Sequence, residues 1–270
     1  MTKNLVLRLI VAVFGIPALI AICLSGGYYL LGFCILLAGL GGLELGLMLK
    51  KRGYRASLFF SILLPVAFVF AAFYNYPIIY VLFYSFFLTT LLIIIDYSRA
   101  GDPDLSPFLG DMFGRFLPAV YLGLLASTII NLGSLPDIGG LILLLVFMVV
   151  WATDSAAYLG GKTIGKHKLS TSLSPNKTWE GFCSGFLGAA LAAVVAKLWF
   201  LDISWPKILV ISLTACFWGQ LGDLFESAIK RHCRVKDSSE IIPGHGGVLD
   251  RFDSFLFAVP TVYIIAIYWR

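Results

Sequence analysis

Charge is scarce in this chain. Only 13% of its 270 residues are Asp, Glu, Lys or Arg, 59% are hydrophobic, and the mean hydropathy is +0.92. That balance excludes a soluble globular domain, which needs far more polar surface at this length. Polar linkers long enough to separate soluble domains are missing, and no internal repeat is visible. Cysteine is confined to positions 23, 34, 183, 216 and 233, with no Cys-x-x-Cys pair and four of the five inside apolar runs. Nothing in that spacing argues for disulfides or a zinc site, and packing is the reading for the thiols.

What the chain has in quantity is apolar runs of membrane-spanning length, roughly 20 residues each. They cover 5–24, 28–49, 57–75, 78–95, 116–131, 138–158, 180–201, 207–229 and 252–269. The expected fold is therefore all-α, a polytopic transmembrane bundle of about nine spans. The first run follows Lys3 and Arg8 but lacks a small-residue cleavage pattern, so it reads as a retained helix rather than a signal peptide. With the N-terminus in the cytoplasm, all of the 20 Lys and Arg except Lys197, Lys207 and Arg270 fall on the inner side, as the positive-inside rule requires. The net charge of +5 is thus a topology signal first and a contact with anionic lipid second. No nucleic-acid partner is expected. The sizeable loops, 96–115, 159–179 and 230–251, all lie on the cytoplasmic side. Residues 1–137 read as structural helices, and 138–270 as the catalytic membrane region with the loops 159–179 and 230–251.

Acids inside spans call for an explanation, because a carboxylate at the bilayer centre costs about 2.5–3.5 kcal/mol. Glu44, Asp154, Glu180, Asp223, Glu226, Asp250 and Asp253 all sit at the cytoplasmic ends of their spans. Glu226 can pair with Lys230 at i+4 or serve as a ligand. Glu44 lies in a Gly-rich helix, where a hydrogen bond between close-packed helices would account for it. Asp223 has Glu226 at i+3 and Ser227 at i+4, so no local cation neutralises it, and a metal is the reading. Asp250 and Asp253 stand one helical turn apart on one face, where two carboxylates repel unless a cation joins them. Such oxygen-only chemistry suits Mg²⁺; helix capping is the alternative for Asp250.

Ahead of that helix runs Pro243-Gly244-His245-Gly246-Gly247, a turn able to present backbone N–H groups to an anion. A second polar segment, Ser174-Pro175-Asn176-Lys177-Thr178-Trp179-Glu180-Gly181, suits either a triphosphate or simple capping. Gly161-Lys162-Thr163 mimics the end of a P-loop, but Ala156 holds the first Gly position and the context is a membrane helix.

Together, Ser227-Ala228-Ile229-Lys230-Arg231, Lys236-Asp237, the Pro243–Val248 turn and Asp250-Arg251-Phe252-Asp253 resemble the phosphatidate cytidylyltransferase (CDP-diacylglycerol synthase) family. The segment 174–181 looks like that family's second motif. The resemblance covers roughly the last 100 residues; the first 140 share only their hydrophobic character.

The resemblance implies conversion of phosphatidate and CTP to CDP-diacylglycerol and pyrophosphate in phospholipid biosynthesis, with Mg²⁺ and a possible second cation. It further implies a homodimer in the cytoplasmic membrane with the active site facing the cytoplasm. On this reading Asp223, Asp250 and Asp253 hold the metal. Lys177, Lys230, Arg231, Lys236 and Arg251 balance the phosphate charge, while Ser174, Asn176, Thr178, Glu180 and Asp237 complete the substrate site. Gly244, Gly246 and Gly247 give backbone donors, and His245 donates to a phosphate, accepts a proton or shapes the turn. Two alternatives remain: a transferase acting on another lipid acceptor, and an ion-coupled transporter. The second predicts repeat symmetry and acids near the midplane, and neither is present.

Overall fold

The computed structural model describes residues 2–100, 106–241 and 246–269, with backbone only for 2–12. Among the described residues nine helices run in chain order: α1 (Thr2–Ser25), α2 (Gly27–Arg52), α3 (Leu58–Phe73), α4 (Ile78–Ala100), α5 (Phe108–Gly133), α6 (Gly139–Thr163), α7 (Trp179–Trp199), α8 (Trp205–His232) and α9 (Leu249–Tyr268). Seven are long and apolar enough to cross a membrane, and α3, at 16 residues, is shorter. The expected polytopic helical bundle is what forms.

Two elements differ from the sequence reading. The loop 159–179 contains an antiparallel hairpin, β1 (Lys168–Ser170) and β2 (Ser174–Thr178), with Lys168 opposite Thr178 and Ser170 opposite Ser174. Helix α5 begins at Phe108, well ahead of the apolar run at 116. Its first turns hold Asp111 and Arg115, which the rest of the fold neutralises. Asp111 accepts from the Arg55 backbone N–H and the Tyr97 hydroxyl, both at 2.9 Å, and Arg115 pairs with Asp96. Arg55 also lies over the Tyr97 ring at 4.3 Å.

Where α5 reaches Pro118, the missing N–H breaks the regular ladder. Residues Ala119–Leu124 continue as a π-helical turn before the α-helix resumes. A turn of this kind rotates the face that follows and is often found at functional sites.

Contacts sort the bundle into two ends. At one, Arg52 Nε donates to the His232 carbonyl (3.1 Å), Tyr54 Oη meets His232 Nε2 (2.7 Å), and Glu44 reaches the start of α9. At the other, Lys207 donates to the Trp269 carbonyl (2.6 Å) and Lys197 pairs with Asp202.

Close helix approach is written in small residues. A Cβ on Gly42 of α2 would fall 2.0 Å from the Ser61 carbonyl oxygen of α3, a backbone atom with no room to yield. Gly42→Ala is expected to lower the melting temperature in detergent, through an overpacking cost of about 1–3 kcal/mol. Gly39→Ala is the control, since its Cβ would meet Val66 Cγ2 at an ordinary 3.6 Å. Equal melting of the two variants would refute the tight α2–α3 contact.

Candidate metal and phosphate site

Helices α8 and α9 cross at Gly222, where a Cβ would sit 2.7 Å from the Asp253 carbonyl oxygen and 2.7 Å from Phe257 Cβ. That contact brings the acids of the two helices together. Carboxylate oxygens of Asp223, Glu226 and Asp253 all lie within 4.8 Å of one another. Asp223 and Glu226 are one turn apart on α8, so they share a face, and Asp253 faces them from the first turns of α9. Asp223 is partly exposed, while Asp253 and Glu226 are buried, Glu226 completely at 0% exposure. Glu226 Oε1 is also shut off from solvent with no hydrogen-bond partner.

Two lysines flank the acids. Lys177, from β2, bonds Asp223 Oδ2. Lys230 bridges Glu226 Oε2 (2.7 Å) and Asp250 Oδ1 (2.6 Å). The i+4 pair expected between Glu226 and Lys230 is therefore present, and Glu226 belongs to the cluster as well. Asp223, for which a metal is the expected cation, also has a lysine partner from β2. Three carboxylates this close still repel. Oxygen-only donors and a buried acceptor without a partner fit a hard divalent cation such as Mg²⁺.

Asp250, expected among the metal ligands, lies outside the close group. Its Oδ1 takes the Lys230 ammonium, and its Oδ2 accepts from the Ser238 and Gly247 backbone N–H groups, each at 2.9 Å. It is joined to the other acids through Lys230.

The glycine turn differs in the same direction. Gly247, expected to donate to a phosphate, donates to Asp250 instead. The next two N–H groups, of Val248 and Leu249, donate to Glu44 Oε1 and Oε2, both at 2.9 Å. The helix start expected to cradle a substrate anion thus holds two of the chain's own carboxylates. Gly246 adopts φ +85°, in the left-handed region that favours glycine. Gly244 and His245 lie outside the described residues.

Glu44 also accepts from Ser239 Oγ (2.6 Å) and stands 3.0 Å from Ser238 Oγ. It is the main contribution of the first half of the chain that sequence reasoning left without a role. Its partners are about 200 residues away, with no local signal to reveal them.

Beside the acids, a cavity of about 440 Å³ opens between α6, the hairpin, α7 and α8. Asn176, Lys177 and Thr178 line it with Asp154, Lys162, Gln220 and Asp223. The dismissed P-loop mimic therefore supplies a cavity lysine, Lys162, but from a helix end.

Other residues of the second motif have structural partners. Thr178 caps α7, its Oγ1 accepting from the Gly181 N–H at 3.1 Å. Glu180 turns away from the cavity, accepting from the Lys166 N–H (3.0 Å) and meeting His167 Nδ1 (2.6 Å). Ser174 is a strand residue paired with Ser170. Arg231 bonds the Leu173 and Val235 carbonyls, linking the hairpin to the loop after α8. Lys236 and Asp237 line a separate cavity with Lys51 and Ser238. Arg251 is exposed, within electrostatic range of Asp154.

Curated relatives match about half of this chain. Over 150 residues, 55% of this chain and 56% of the relative, it is 47% identical to a phosphatidate cytidylyltransferase of Bacillus subtilis. Over 127 residues it is 51% identical to a protein of that name in Staphylococcus aureus, covering 46% of this chain and 48% of that one. A third relative of the same name, from Staphylococcus haemolyticus, is 50% identical over 128 residues. The chain spans about half the length of the curated relatives it matches. The model of the cytidylyltransferase family matches residues 6–269, close to the full length, and the chain belongs to that family.

Proposed function

We propose that this protein is a membrane phosphatidate cytidylyltransferase, joining phosphatidate to CTP to give CDP-diacylglycerol and pyrophosphate. The observation that carries the reading is the pairing of a buried three-carboxylate centre with a lysine-lined cavity at one end of a membrane bundle. A lipid phosphate and a nucleotide triphosphate can meet only where membrane depth and aqueous access coincide. The names of the curated relatives support the same activity.

A phosphatidate oxygen attacks the α-phosphorus of CTP. A new P–O bond forms as the bond to the bridging α–β oxygen breaks, and pyrophosphate leaves with that electron pair. Phosphatidate is already anionic near neutral pH, so no strong protein base is required. Such chemistry rests on positioning and charge neutralisation. Lys177 pairs with Asp223 and lines the cavity, where its ammonium can turn to a phosphate oxygen, and Lys162 adds a second positive charge to the lining. Lys230 holds Glu226 and Asp250 in register, so the α8 and α9 acids keep their spacing as charge arrives. Asp223, Glu226 and Asp253 would hold Mg²⁺, which when bound neutralises developing negative charge on phosphate oxygens.

We place this end of the bundle in the cytoplasm, on the strength of its excess of Lys and Arg. The family resemblance also carries a homodimer, for which the largely unburied α4 offers a helical face.

Purified protein given α-³²P-CTP, phosphatidate and Mg²⁺ should place label in a lipid product, and EDTA should abolish the transfer. Labelled lipid formed equally in EDTA would remove the metal from the reading. Label appearing only with a different lipid acceptor would change the substrate and keep the reaction class.

A further inference from the structure

Tyr121 sits in the π-helical turn of α5 with 3% of its surface exposed, and its hydroxyl is buried without a hydrogen-bond partner. Its ring packs edge-on against Phe225 (5.2 Å between centroids) and against Phe257 (5.8 Å). Phe225 immediately precedes Glu226, and Phe257 lies one turn beyond Asp253, so the ring rests on the α8–α9 crossing that forms the acidic centre. The hydroxyl lies within electrostatic range of Asp253, Glu226, Asp223 and Asp250.

A buried phenol without a partner forfeits on the order of 1–3 kcal/mol, and natural structures rarely leave one without reason. Here the orphan donor has a counterpart. Glu226 Oε1, in the same centre, is an orphan acceptor. The two do not bond each other; a metal-bound water would accept from the phenol and donate to the carboxylate, whereas a phosphate oxygen would satisfy the phenol alone.

We infer that Tyr121 is a fourth member of the centre, its O–H donating to an oxygen held by Asp223, Glu226 and Asp253. This rests on the proposed phosphoryl chemistry, in which that oxygen belongs to a hydrated divalent cation or to a phosphate. The π-turn has a purpose on this account: it sets Tyr121 against the α8–α9 crossing on a helix that packs against both α3 and α9.

Tyr121→Phe removes the hydroxyl and keeps the ring packing. In EDTA the variant should melt at or slightly above the wild-type temperature, because it loses a buried orphan and no bond. Mg²⁺ raises the melting temperature of any protein that binds it in the native state, and that rise should shrink in Tyr121→Phe. Turnover should fall about tenfold or more, as for a lost donor to developing charge. A normal response to Mg²⁺ alone, with a reduced response to Mg²⁺ plus CTP, would assign the hydroxyl to a phosphate oxygen. A wild-type response and wild-type turnover together would overturn the inference. So would a lower melting temperature in EDTA, since the hydroxyl would then be bonded within the protein itself. If wild type makes no CDP-diacylglycerol, the proposed activity fails, and the Mg²⁺ response of the variant alone decides the role of Tyr121.

Discussion

Asp253→Asn should reduce CDP-diacylglycerol formation by ~10³-fold or more, about 4 kcal/mol of transition-state stabilisation, without lowering the melting temperature of the metal-free protein. Asn matches the carboxylate in shape and removes one negative charge from three acids crowded within 4.8 Å. In the metal-free state that relieves repulsion, so the variant should be as stable as wild type or more so. In the metal-bound state the same change removes a charged ligand, so the stabilisation by Mg²⁺ should largely vanish. Asp250→Asn makes the informative contrast. Asp250 is bonded to Lys230, Ser238 and Gly247, so its substitution should lower stability even in EDTA. Activity of Asp253→Asn above a tenth of wild type would remove the three-acid group as the centre of the chemistry. A melting loss in EDTA for Asp253→Asn but none for Asp250→Asn would reverse the roles of the two aspartates.

The helices were legible in the sequence because a bilayer imposes a length and a polarity that no local accident overrides. The misplaced boundary at α5 shows the limit. Asp111 and Arg115 look like loop residues until Arg55, Tyr97 and Asp96 are brought to them. The depth of the acids was legible too, and the spacing of Asp223 and Glu226 on one face already held the pair. Which acid completes the group was not, because Asp250 and Asp253 share a helix face and differ only in what arrives from other elements. Lys230, Ser238 and Gly247 meet Asp250, whereas α8 meets Asp253. The glycine turn poses a related problem. Backbone N–H groups at a helix start announce an anion without saying whose, and here Glu44 and Asp250 provide it. Periodicity and motif report on neighbours along the chain, so a partner from the other half of the sequence leaves no trace in them.

Glu44 therefore allows the sharpest test of how the first half of the chain serves the second. Each of its oxygens faces two donors: Oε1 meets Ser239 Oγ and the Val248 N–H, and Oε2 meets the Leu249 N–H and Ser238 Oγ. Ser238 Oγ also lies 2.9 Å from Asp250 Oδ2, so its single proton can serve either acid. The serines can turn their hydroxyls elsewhere, but the two backbone N–H groups cannot. Glu44→Ala should therefore cost about 3–5 kcal/mol, from buried donors left unpaired and from the loss of negative charge at the N-terminus of α9. Glu44→Gln is the finer probe. Its amide nitrogen must face one pair of donors whichever way it turns, so one backbone N–H stays unsatisfied, at about 1–3 kcal/mol. Because the helix start that loosens carries Asp250 and Asp253, hydrogen exchange at Val248 and Leu249 should rise in both variants, and Mg²⁺ should be needed at higher concentration for half-maximal activity. Wild-type exchange and wild-type Mg²⁺ dependence in Glu44→Gln would mean that α9 holds its place without α2. An increase in both would make α2 the element that sets where the acids of α9 stand, and would explain why a carboxylate is kept fully buried in a helix whose other buried positions are apolar side chains or glycine.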